Sequence, residues 1–191
     1  MASHRADMDI PSPFSGSADE ETFAPEDEFV PAHLPEPGPF LTDHDVLTGD
    51  DHVGFHATTR ELFEKRGVYD ITFGYNLARL NRDTRHPDAG YRYAEDTEES
   101  SVLRAVFTPT TEFCPQTETL ATGSFRAWNG LSESHDYELV RVRVDPMHND
   151  AEAVNVALSE LEREYRETGS VPDPDAPTGQ TPDEDVPSSP F

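Results

Sequence analysis

Tyr137-Glu-Leu-Val-Arg-Val-Arg-Val144, followed closely by Ala151-Glu-Ala-Val-Asn-Val-Ala-Leu-Ser-Glu-Leu-Glu-Arg-Glu-Tyr165, decides the fold class. In the first stretch Val140, Val142 and Val144 alternate with Arg141 and Arg143. A period of two marks a half-buried strand. The Arg side chains then face solvent or cover a neighbouring element with their stems. In the second stretch Ala151, Val154, Leu158, Leu161 and Tyr165 recur at spacings of three and four, which places them on one face of a helix. Asn149 and Glu152 have the spacing of a capping box ahead of it.

Working back along the chain, Val102 to Thr108 reads as a strand with Val102, Leu103, Val106 and Phe107 in the core, stopped by Pro109. A helix begins at Pro115, since proline suits the first helical position. Its face is Leu120, Ser124, Trp128 and Leu131; Gly123 weakens it and Gly130 ends it. A short strand fits Tyr91 to Ala94. Tyr69 to Leu80 is apolar on several registers and suits a helix through Phe73, Leu77 and Leu80. Thr59 caps a short helix over Arg60 to Arg66, with Gly67 as its stop. Helices and strands in this order predict a small α+β domain: two layers, helices packed on one mixed sheet.

The ends differ in composition. Most of the 17 prolines fall before residue 41 or after Gly169, among Asp, Glu and Ser and without an apolar period. Such segments bury too little apolar surface to offset their ordering entropy. Residues 1–40 and 168–191 are therefore expected to be disordered acidic tails around a domain at 41–167, although Glu28-Phe29-Val30 has the character to dock on the body.

With 39 acidic against 14 basic residues the net charge is -25. That sign repels nucleic-acid backbones and anionic membrane surfaces. No apolar run reaches the roughly 20 residues of a membrane helix, and MASHRADMDI lacks the apolar segment of a signal peptide. A cytoplasmic protein is the expectation. All basic residues except Lys65 are arginine. An acid excess almost without lysine is the pattern of halophilic proteins, whose carboxylates stay hydrated where molar salt cuts the Debye length to about 3 Å. No phosphate-binding Gly-rich loop, zinc-protease helix or dinucleotide fingerprint is present.

One cysteine excludes an internal disulfide and a multi-cysteine metal site. Cys114 arrives in Thr108-Pro-Thr-Thr-Glu-Phe-Cys-Pro115, where a strand ends and a helix is about to begin. Unpaired N–H groups at a helix start favour an anion. A thiol there gains thiolate character, the form that binds soft metals or attacks electrophiles. Thr108, Thr110 and Thr111 are candidate donors to the sulfur or to a ligand. A free cysteine is equally a small buried hydrophobe in many folds, and both readings stand.

Val106-Phe-Thr-Pro-Thr110, then Cys114 before a helix, then a strand, then Met147-His-Asn-Asp-Ala-Glu-Ala-Val-Asn155 form one pattern. It resembles the iron–sulfur assembly domain family that includes the PaaD and SufT proteins and the eukaryotic cytosolic targeting factors, most strongly over residues 100–166. The family's opening helix and Asp-Pro-Glu-like turn find only a loose counterpart in His86-Pro-Asp88, and Met147 and Phe113 depart from its usual residues. The resemblance implies a non-catalytic adaptor or carrier that delivers iron–sulfur clusters to recipient proteins through Cys114. One thiolate cannot hold a cluster that takes four ligands. A transient cluster would thus be shared with a recipient or scaffold protein, or across a homodimer. The resemblance also offers His148 as a second metal or cluster ligand; a lone His before a helix serves as well as a capping or surface group. Two other classes remain open: an interaction module in which Cys114 is structural, and a thiol enzyme with Cys114 as nucleophile and His148 or His135 as base.

Overall fold

The computed structural model describes residues 22–172, so residues 1–21 and 173–191 of the expected tails (1–40 and 168–191) lie outside the described residues. The elements run β1 Asp45–Val46, α1 Gly49–Arg66, β2 Tyr69–Asp70, β3 Tyr75–Asn76, a 3₁₀ turn Leu77–Arg82, β4 Gly90–Glu95, β5 Val102–Thr108, α2 Thr117–Gly130, β6 Leu139–Val144 and α3 Ala151–Thr168. Four strands form one mixed sheet in the order β1-β4-β5-β6. β4 and β5 pair antiparallel, while β5 and β6 pair parallel across the α2 crossover, with Phe107 opposite Val144. The α+β class and the helices on a mixed sheet are as expected.

Alternation along the strands sorts the two faces. Tyr91, Tyr93, Leu103, Ala105, Phe107, Val140, Val142 and Val144 join the main core with Phe55, Leu62 and Phe63 of α1, Trp128 and Phe125 of α2, and Val154 and Leu158 of α3. Trp128 is fully buried, and its Nε1–H donates to Thr59 Oγ1 at 3.1 Å. The opposite face carries Arg92, Arg104, Arg141 and Arg143 among Ala94 and Val106.

That second face corrects the expected tail boundary. Residues 22–40 lie on the body, and Leu34 and Leu41 are buried. Phe23 bridges to Asp83. Arg92 Nη1 donates to Pro35 O at 3.1 Å, and Arg104 lies 4.7 Å from the Phe40 ring centroid. The segment has no period because it crosses the sheet as irregular chain. The carbonyls of Pro35 and Phe40 and the Phe40 ring meet the guanidinium groups of Arg92, Arg104 and Arg143, and Leu41 packs with Ala94 and Val106. Three of these guanidinium groups are also ion-paired: Arg104 and Arg141 with Asp96, and Arg141 and Arg143 with Glu162 of α3.

Three other expectations change. α1 starts at Gly49, and Thr59 is a buried residue inside it rather than its cap. Tyr69 to Leu80 is a two-stranded hairpin and a 3₁₀ turn, not a helix. Asp70 Oδ1 accepts the N–H groups of Thr72 and Phe73 at 2.7 and 3.1 Å, which closes the turn. The Asn149–Glu152 capping box is absent: Asp150 is the N-cap of α3, with no side-chain cap bond.

Candidate functional site

Parallel pairing of β5 and β6 brings the loops that follow them to the same end of the sheet. In open sheets with crossover helices, ligands bind outside the carboxyl ends of such strands. The β5 loop carries Thr108 to Gln116, and the β6 loop carries Asp145 to Asp150. Two hydrogen bonds join them. Asn149 N–H donates to Glu112 O at 3.0 Å, and His148 Nε2 lies 3.1 Å from Cys114 O. A carbonyl only accepts, so Nε2 carries the proton. Nδ1 then accepts Asp150 N–H at 3.2 Å. This is the neutral imidazole with both ring nitrogens engaged. His148 is buried and braces the cysteine loop; to bind a metal it has to release one of these bonds.

Cys114 itself is partly exposed. It lies two residues before Gln116, the N-cap of α2, rather than at a helix start in Pro115. Its carbonyl also accepts Thr117 N–H and Thr117 Oγ1–H at 3.3 and 3.0 Å. Three hydrogen bonds from two residues, Thr117 and His148, thereby converge on this one carbonyl. Among the described residues no hydrogen bond reaches the sulfur. The expected threonine donors therefore do not act on it here. Thr108 is buried with Oγ1 unpartnered, Thr110 is partly exposed and Thr111 is exposed.

Two further side chains hold this end together. Asn155 of α3 accepts Val144 N–H at 2.7 Å and donates to Val144 O at 3.0 Å, fixing the last residue of β6 where the His148 loop begins. Gln116 accepts Ile71 N–H at 3.0 Å and donates to Thr72 Oγ1 at 2.7 Å, fastening the hairpin turn beside the cysteine loop. Asn155 closes the Met147–Asn155 stretch that carries the resemblance in the sequence. Gln116 carries no sequence signal for its role, because its partners are backbone and turn groups distant along the chain.

His135 lies elsewhere, in a cleft of about 520 Å³ between α1 and the turn after α2. Its Nε2–H donates to Trp128 O at 3.0 Å and its Nδ1 accepts Tyr137 N–H at 3.2 Å. Both nitrogens are again occupied, and it does not serve the Cys114 loop.

Residues 21–172 match the family described as a domain of unknown function, DUF7998. The chain is a DUF7998 protein. The matched span of the DUF7998 protein includes the segment before residue 41 that covers the arginine face, so that segment is part of the family's domain. Neither a curated protein nor a solved structure matches the chain. Among the described residues of the DUF7998 protein, no three His, Cys, Asp or Glu side chains are grouped to hold a metal, and no helix is long and apolar enough to cross a membrane.

Proposed function

We propose that this protein is a non-catalytic adaptor or carrier in iron–sulfur cluster assembly, with Cys114 as the thiolate that meets the cluster. The observation that carries the reading is the joining of the Cys114 and His148 loops at the carboxyl ends of the parallel pair. Those are the two loops on which the resemblance to PaaD and SufT rests. The resemblance also implies an opening helix, and α1 supplies a helix before the sheet strands β4 and β5.

The cluster is cargo in this reading. A cluster takes four ligands, and one thiolate supplies one, so a recipient or scaffold protein brings the others. A single ligand suits transfer, because the cargo leaves by breaking one bond to this chain. Three hydrogen-bond donors on the Cys114 carbonyl hold the loop in place, while the sulfur has no hydrogen-bond partner among the described residues. His148 acts as a positioning residue that keeps the two loops together. Asn155 sets the start of its loop.

Deleting the gene should lower the activity of cluster-dependent enzymes, with restoration by wild type but not by Cys114→Ser. Full cluster-enzyme activity in the deletion strain overturns the proposal. Full rescue by Cys114→Ser favours instead an interaction module in which the thiol has no part.

A further inference from the structure

Among the described residues, the large apolar side chains left in solvent are Tyr69, Ile71, Phe113, Met147 and Val156. Ile71 is 85% exposed, Phe113 70% and Met147 42%. These three come from three different loops. Each loop nonetheless meets the cysteine loop directly. Ile71 N–H donates to Gln116. Phe113 precedes Cys114. Met147 precedes His148, whose ring donates to Cys114 O. A single exposed hydrophobe needs no explanation, but several drawn from separate loops to one place mark an interaction surface.

The charged side chains on the three loop segments have one sign. Segments 67–76, 109–120 and 145–155 hold Asp70, Glu112, Glu118, Asp145, Asp150 and Glu152, with no Lys or Arg. Asp70 is used to close its turn. Among the described residues, the other five carboxylates are in no ion pair, whereas Glu26, Asp83, Asp96, Glu99 and Glu162 each have an arginine. A second copy would bring the same acidic rim and another net charge of -25. Complementarity calls for an apolar centre edged with cations.

We infer that Ile71, Phe113 and Met147 form the docking surface for a protein partner whose contact patch is apolar at its centre and rimmed by Lys and Arg. Docking there seats the partner over Cys114. The inference rests on the reading of Cys114 as the transfer thiol for its purpose, while the surface is tested without any cluster. The apolar collar holds the partner, and the partner's rim cations pair with the carboxylates at contact range, where salt screens least.

The probe is a synthetic amphipathic peptide with Leu and Phe on one face and Lys and Arg on the other. Two controls replace its cations by Glu or its apolar face by Ser. Binding to the full chain is followed by amide chemical shifts. The cationic amphipathic peptide should shift Ile71, Phe113 and Met147 and their neighbours. Ile71→Ser, Phe113→Ser and Met147→Ser together should weaken it at least about tenfold without loss of fold, as for hot-spot residues at an interface. Cys114→Ser should bind it as wild type does, so failure of cluster transfer and failure of docking are separable. The inference is overturned if the triple variant binds equally well, if the Ser-faced peptide binds equally well, or if binding needs the thiol. Concentration-dependent dimerisation through this face, seen by sedimentation, overturns it too.

Discussion

Acidification should destabilise this protein through two histidines, His52 buried and His56 part-buried, before its carboxylates titrate. His52 and His56 stack at 5.5 Å beneath Phe29, whose ring centre is 5.2 Å from that of His52. His52 Nδ1 is buried with no hydrogen-bond partner among the described residues. Burial, helped by His56 and Arg92, lowers His52 to about 3. Burial lowers His56 to about 4, although its Nε2–H donates to Ala78 O at 2.8 Å. An unfolded His titrates near about 6.5. Below that value the unfolded chain binds protons that the folded chain refuses, so stability is full above it and falls as pH drops. Between pH ~7.5 and ~5 each histidine removes about 2 kcal/mol, or about 4 kcal/mol together, a large share of the roughly 5–15 kcal/mol of a typical domain. Asp83 and Asp96, held down to about 2, lose their contributions only at lower pH, so they do not blur this window. Denaturant unfolding at fixed high salt measures the effect. His52→Phe keeps an aromatic ring against Phe29, removes one titration and should remove about half of the decline. A wild type equally stable at both pH values, or an unchanged slope in His52→Phe, refutes the reasoning.

Three other outcomes follow from the packing. Leu41→Ala should cost about 2–5 kcal/mol in denaturant unfolding, because Leu41 is fully buried against the sheet; a cost near zero would remove the segment before β1 from the fold. Gly90→Ala should be at least as damaging. Gly90 has φ +118, and an added Cβ would collide with Asn81 Oδ1, the group that accepts Tyr91 N–H, and crowd the Asn81 Cα at 3.1 Å; a wild-type melting temperature would contradict this. Asn155→Ala strands Val144 N–H and Val144 O, and should cost about 1–3 kcal/mol and speed hydrogen exchange in the His148 loop.

The third of the chain from Val102 to Tyr165 is legible because its elements are regular and one-sided. Period two and period three-to-four then report burial directly. α1 was largely hidden for a physical reason. Its buried positions are His52, Phe55, Thr59, Leu62 and Phe63, correctly spaced for one face, but two of them are polar. Thr59 is tolerated there because it accepts the Trp128 N–H and donates to Phe55 O at 3.1 Å. Residues 22–40 read as a tail in the sequence because irregular chain can cover a sheet without any repeat, here by placing Phe40 and the carbonyl of Pro35 against the guanidinium groups of Arg104 and Arg92. At the site, Cys114 and His148 were legible as residues. Their meeting depends on the parallel register of β5 and β6, and the threonine contacts failed because strand direction and loop turns set where those side chains lie. The apolar collar had no sequence signal, since Ile71, Phe113 and Met147 belong to separate loops.

The central claim concerns the sulfur of Cys114. The most direct measurement is iron and acid-labile sulfide in the full chain purified without oxygen together with its bound proteins, compared between wild type and Cys114→Ser. The account predicts iron and sulfide with the wild-type complex and their loss in the serine variant, with the partner still bound through the apolar collar. Equal iron and sulfide in both, or none in wild type handled without oxygen while bound to a cluster-containing partner, would contradict it.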